Sequence, residues 1–243
     1  MQTHNSYDFP TLYQELQPYA DMVVTTTRGR QITVGDMQYV THQTLYSTAV
    51  YAPGAAAVTP FQVDLFKAGL NEQGQGWAGS LTKSETNFEG SNGQFAANQA
   101  FVATRAAWSV WKLNDNATNT DANQYQLFAE ADDLLPIITK GVWDLSIGRG
   151  PTRIIGNLTD YPAGYGVHAV NGGIALAGGG ATTGMQNGCP GVPMKPLDIP
   201  IVFPPLVSVD ISAKWRSGFT LSGNPGYIAV KLALFGFQFT MPT

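Results

Sequence analysis

Chemistry in a protein usually needs histidines, carboxylates or thiols held close together, and this sequence scatters them. His4, His42 and His168 stand far apart. A cupin-type metal site needs a clustered His-x-His ligand set, so no metal is expected. Cys189 is the lone cysteine, which excludes a disulfide framework within the chain and any cysteine-based zinc site. Glu130, Asp132 and Asp133 form the densest acidic cluster. Paired carboxylates can share acid and base roles at a glycosidic bond. Adjacent aspartates on a helix point in different directions, however, and the cluster reads as a solvated helix face. It also lacks the ligand spacing of an EF-hand loop.

Gly74-Gln75-Gly76-Trp77-Ala78-Gly79 matches G-x-G-x-x-G. That fingerprint binds a dinucleotide only when a strand precedes it and a helix opens within it. Here Leu81–Ser84 reads as another strand, so the motif is a glycine-rich turn. Phosphate-loop, G-x-S-x-G and H-E-x-x-H motifs are missing. The expectation is a protein that is not an enzyme, with no catalytic residue, no cofactor and no metal.

Composition points the same way. Lys and Arg number 13 and Asp and Glu 17 in 243 residues, giving a net charge of -4 and 12% charged residues. Globular chains average about 25%. A protein that grips nucleic-acid phosphates carries a basic excess, and none is visible here. The sequence has no apolar run of about 18 residues and predicts no transmembrane helix. Its first ten residues lack the basic and apolar regions of a secretory signal. Asn116-Ala117-Thr118 and Asn157-Leu158-Thr159 match the glycosylation sequon and are read as chance matches.

The elements that would position any site are strands. Val207, Val209, Ile211, Ala213 and Trp215 alternate with Ser208, Asp210, Ser212, Lys214 and Arg216, which predicts one buried and one wet face. Tyr39–Tyr51, Phe61–Leu65, Leu81–Phe88, Ala100–Leu113, Ile137–Ile147 and Thr152–Leu158 read as further strands. Met22–Thr27 and Gln31–Val34 read as a hairpin. Tyr227–Met241, apolar on both faces, reads as a central strand. A helix is expected over Tyr125–Leu135, stopped by Pro136. Ala163–Gly184 reads as a glycine-rich loop. Four of the five tryptophans fall in strands and are expected in the core. Trp77 falls in a Gly/Gln loop and is expected to be exposed at a subunit contact.

About fifteen strands with almost no helix imply antiparallel pairing in a sandwich or barrel. Residues 1–20 stand apart as an arm with a short helix. Tyr7, Phe9, Leu12, Tyr13 and Leu16 are its apolar residues and, with Trp77, the suspected subunit contacts. Pro10 and Pro18 keep the arm out of a sheet.

Leu81-Thr82-Lys83-Ser84-Glu85-Thr86-Asn87-Phe88-Glu89 and then Gly93–Val102 resemble the early strand–loop–strand of major capsid proteins of tailless icosahedral phages. Leu145-Ser146-Ile147-Gly148, Tyr161-Pro162-Ala163-Gly164, Pro196–Ile201, Pro204-Pro205-Leu206 and Val230–Gly236 belong to the same likeness, which spans roughly residues 80–240. The resemblance implies viral jelly-roll barrels, commonly two per chain, in pseudo-hexagonal trimers. It implies an all-β compact double jelly roll, with one barrel over 21–120 and a second over 121–243. One elaborated single jelly roll is the alternative. The implied function is a self-assembling structural protein of the virion, made in the host cytoplasm. Its partners would be copies of itself, other virion proteins and, where one is present, an internal membrane, without sequence-specific binding of nucleic acid. A carbohydrate-binding β-sandwich and an enzyme built on a β-sandwich are the competing classes.

Overall fold

The computed structural model describes residues 23–25, 31–33, 39–113, 115–118, 125–126, 131–161, 167–172, 182–187, 196–221 and 226–240. The arm residues Tyr7, Phe9, Leu12, Tyr13 and Leu16 lie outside these. The described strands are β1 (Val23–Thr25), β2 (Gln31–Thr33), β3 (Tyr39–Tyr51), β4 (Ala57–Val58), β5 (Phe61–Leu65), β6 (Gln99–Leu113), β7 (Tyr125–Gln126), β8 (Gly141–Ile147), β9 (Arg153–Asn157), β10 (Val167–Gly172), β11 (Thr182–Asn187), β12 (Pro196–Phe203), β13 (Val209–Trp215), β14 (Phe219–Thr220) and β15 (Tyr227–Thr240). Among the described residues, one α-helix, α1 (Ala131–Lys140), and one 3-10 turn, Leu158–Asp160, accompany them.

Eight strands, with the short β7 as a ninth, build two large antiparallel sheets. One sheet runs β12-β6-β15-β3, with β7 added to β6, and the other runs β5-β13-β8-β9. Within this set of eight the pairing is nested. The first strand pairs with the last, β3 with β15, and the second with the seventh, β5 with β13. The third pairs with the sixth, β6 with β12, and the fourth with the fifth, β8 with β9. Both sheets therefore draw strands from either side of residue 120. The described strands of these two sheets interleave in a sandwich. Several segments that read as strands in the sequence form other structure.

Leu81–Phe88 is one of these. The Glu85 carboxylate accepts from the Thr82 backbone N–H at 2.8 Å and its hydroxyl at 2.7 Å, closing a turn. Side chains that bond nearby backbone compete with a sheet ladder. Only the Ser47–Thr86 bridge of that segment pairs in sheet fashion. The helix also lies later than expected. Leu134, Ile137 and Ile138 are buried at helical spacing, and Pro136 sits inside α1 rather than ending it. Burial of that face outweighs the missing proline donor. Likewise β10 and the start of β11 occupy part of Ala163–Gly184, paired with each other. The β1–β2 hairpin pairs as expected.

The core lies between the sheets. Val209, Ile211, Ala213 and Trp215 are all buried, as their alternation requires. Trp108 packs edge-on against Trp143, which packs edge-on against Tyr161. Phe66, Phe88, Phe95, Phe101 and Phe203 form a second aromatic group, mostly in T-shaped contacts. Between β6 and β15 the register steps from Phe235–Arg105 to Gly236–Ala103, leaving Thr104 as an extra residue on β6. A bulge of this kind reverses which side chains of the bulged strand face inward. The core residues of β6 accordingly switch from Ala106, Trp108 and Val110 to Phe101 and Ala103.

Part of the segment between β5 and β6 packs outside the five-stranded sheet. Trp77 and Leu81 pack there on Val50, Leu113 and Ala229.

Candidate functional site

Trp77 is where the structure departs most from the sequence expectation. Its side chain is 3% exposed, and its indole N–H donates to the Thr48 carbonyl at 2.9 Å. The expected exposure is not found, because the ring packs within its own chain. Gly76 explains this, with φ of +76° and its α-carbon so close to the Val50 carbonyl that a β-carbon would overlap it. The glycine permits close approach of a loop to a strand, and the same glycine in sequence suggested a free loop.

Of the candidate chemical groups, His4, Glu130 and Cys189 lie outside the described residues. His42 is exposed and meets Phe237 edge-on at 5.5 Å, while His168 pairs with Gln186 in the β10–β11 hairpin. Among the described residues no group of three or more metal-ligating side chains is found. Asp133, read from the sequence as solvated, is buried.

Two polar clusters do form. On the outer face of the four-stranded sheet, Asp144 is nearly buried. It accepts from the Ser212 hydroxyl at 2.7 Å and from Lys214 Nζ at 2.6 Å. Ser212, expected on a wet face, is thereby enclosed. Nearby, Lys67 pairs with Asp210 in a more exposed position. Outside the other sheet, Lys231 Nζ lies 4.2 Å from the centroid of the Tyr46 ring. Burial lowers the Lys231 pKa, and the charge of Glu85 opposes that shift. Tyr46 donates to the Lys83 carbonyl. Its pKa is raised, first by burial and then by Glu85. Glu85 is 1% exposed, so this cluster pins residues 82–87 to the sheet.

Both clusters hold layers together. The remaining features are the sheet edges. The free side of β3 over Thr44–Val50 is covered. Asn87 donates its backbone N–H to the Tyr46 carbonyl, accepts from the Tyr46 N–H and donates its side-chain amide to the Thr44 carbonyl. Val50 N–H donates to the Gln75 carbonyl. On β5, the Gln75 side chain accepts from Asp64 N–H at 2.5 Å and donates to the Gln62 carbonyl at 3.0 Å, standing in for a neighbouring peptide. β12 contains Pro196 and Pro200, and its register shifts between Pro196 and Ile201. β9 shifts register against β8 at Ile155, and the Asp160 carboxylate accepts from its Asn157 N–H at 3.0 Å. No known family, curated protein or solved structure matches this chain. The arrangement thus has to be read from its own geometry, which is that of a stiff sandwich with managed edges.

Proposed function

We propose that the chain is a structural coat protein of a virus, a single jelly roll that assembles with copies of itself into an icosahedral shell. The observation that carries this reading is the nested pairing of eight strands, first with last and fourth with fifth. That is the strand order of a jelly roll, a fold used by viral coats and also by lectins and cupins. Fold alone does not select among those uses. The capsid-like motifs across residues 80–240 favour a coat.

The dispersed histidines count against a cupin-type metal site. Sugar-binding modules present aromatic platforms, yet Trp77, Trp108, Trp143 and Trp215 are buried and Trp111 is half-buried. The polar, weakly charged composition suits a surface that packs against neighbours through many weak contacts repeated by symmetry. The role is structural rather than catalytic. The partners are copies of the chain in trimeric capsomers, other virion proteins and, where one lies between shell and genome, a membrane.

The deciding experiment is electron microscopy with analytical ultracentrifugation of the purified full-length protein. Trimers or larger particles of uniform curvature are expected. A monomer at all concentrations that binds a glycan array would replace this reading with the carbohydrate-binding one.

A further inference from the structure

We propose that residues 91–95 form a strap that opens from the folded sandwich on its own, uncovering the end of β5, the start of β13 and the aromatic group beneath it. This opening does not depend on whether the chain is a coat protein. The strap turns at Asn92 and Gly93, with φ of +51° and +71°, and Gln94 N–H donates to the Ser91 carbonyl at 2.9 Å. Bonds to three other segments hold it down. Asn92 N–H donates to the Lys67 carbonyl at 2.8 Å, and Val209 N–H donates to the Gly93 carbonyl at 3.1 Å. Leu206 N–H donates to the Phe95 carbonyl at 3.1 Å, and the Ser208 hydroxyl to the Asn92 carbonyl at 3.3 Å. Phe95 is the apolar anchor, 5% exposed and packed on Phe88, Phe101 and Phe203.

The backbone that receives the strap is strained. Phe66, next to Lys67, has φ of +60°, and Leu206 has φ of +58°. In the left-handed region the β-carbon of such a residue crowds the following carbonyl. Bulky residues stay there only where their surroundings over-determine them. Phe66 is fixed by its ring contacts with Phe88 and Phe203, and its N–H donates to the Ser47 hydroxyl at 3.0 Å. Leu206 is only half-buried, and its N–H is bonded to the strap itself. Lifting the strap therefore lets Leu206 return to extended backbone, and that relief offsets part of the cost of opening. Openings of this local kind lie below global unfolding in free energy. The open state presents the Leu206 and Val209 N–H groups, the Lys67 carbonyl and one side of the Phe88, Phe101 and Phe203 rings. A partner that prefers those groups uncovered shifts the chain toward that state.

The test is native-state hydrogen exchange of the full-length protein, resolved by residue. In wild type the Asn92, Leu206 and Val209 amides should exchange faster than those of Ile211 and Ala213, which lie mid-strand in β13 between β5 and β8. Leu206→Gly and Leu206→Ala both remove the side chain, but only glycine enters the left-handed region freely. The same three amides should exchange roughly threefold or more slowly in Leu206→Gly than in Leu206→Ala. Should the Leu206 variants fail to fold, Asn92→Gly against Asn92→Ala repeats the comparison at an exposed side chain. Wild-type strap amides that exchange in step with Ile211 and Ala213 would show that the strap opens only with the whole sandwich, which overturns the proposal. Exchange in the glycine variant that is equal to or faster than in the alanine variant would show that strain does not drive the opening, which overturns it as well. Neither result bears on whether the chain assembles into particles.

Discussion

Asp144 and Asp210 lie on the same outer sheet face, and each meets a lysine, yet the two pairs should differ in worth. The Asp144 side chain is 6% exposed and that of Asp210 is 41% exposed. Removing one partner of a buried pair strands the other charge, whereas an exposed pair contributes little. Lys214→Met should therefore cost roughly 2 kcal/mol, and Lys67→Met less than about 1 kcal/mol, both read from urea denaturation. Equal losses would mean that Asp144 finds water after all. Tyr46 gives a pH signature. Its pKa is raised in the folded state, so its contribution is complete below about pH 10 and is lost as pH rises through the folded value. Lys231 has the opposite sign: its lowered pKa makes stability rise with pH up to about 10.5 and level off above. Melting temperatures above that point should fall less steeply in Tyr46→Phe than in wild type. A parallel fall in both would show that the phenol does not carry the effect. None of these pairings was legible in the sequence, because every partner comes from a distant segment. Ser212 looked wet from alternation alone, and only β8 bringing Asp144 alongside encloses it.

At the scale of elements, period-two alternation is legible wherever one strand decides its own faces. β13 and β6 lie where the pattern puts them. What the pattern misses are features set by neighbours. Pro136 looked like a helix stop, but Leu134, Ile137 and Ile138 bury together and carry α1 through it. Leu81–Phe88 looked like a strand, but Thr82 and Glu85 bond each other. The bulge at Thr104 left no mark of its own, though Gly236 marks its partner. A β-carbon there would overlap the Val102 carbonyl oxygen. Gly236→Ala should accordingly cost about 1–3 kcal/mol or more, a price paid in displaced backbone and read as a lower denaturation midpoint. Ala233→Gly, three residues away and partly exposed, should cost about 1 kcal/mol or less. If the two variants are equally stable, the close approach at Gly236 is not a constraint.

For the molecule as a whole, the candidate contacts at Tyr7, Phe9, Leu12, Tyr13 and Leu16 precede all eight strands of the large sheets. Deleting residues 1–20 should leave the melting transition of the sandwich in place and reduce particle yield in assembly reactions. Loss of the transition itself would make the arm part of the core. The nested pairing also has a consequence for synthesis. β15 lies between β3 and β6 in the five-stranded sheet, so the strand joining that sheet is the last described one that a ribosome makes. Until β15 emerges, β3 waits without its partner while the residues between Tyr51 and Tyr227 are made. Such long-range closure is slow, and it leaves nascent chains with an exposed edge on the polysome. It also means that a chain stalled before Tyr227 lacks the central strand of that sheet. Only chains extended through β15 can then close it, a check on length that needs no separate factor.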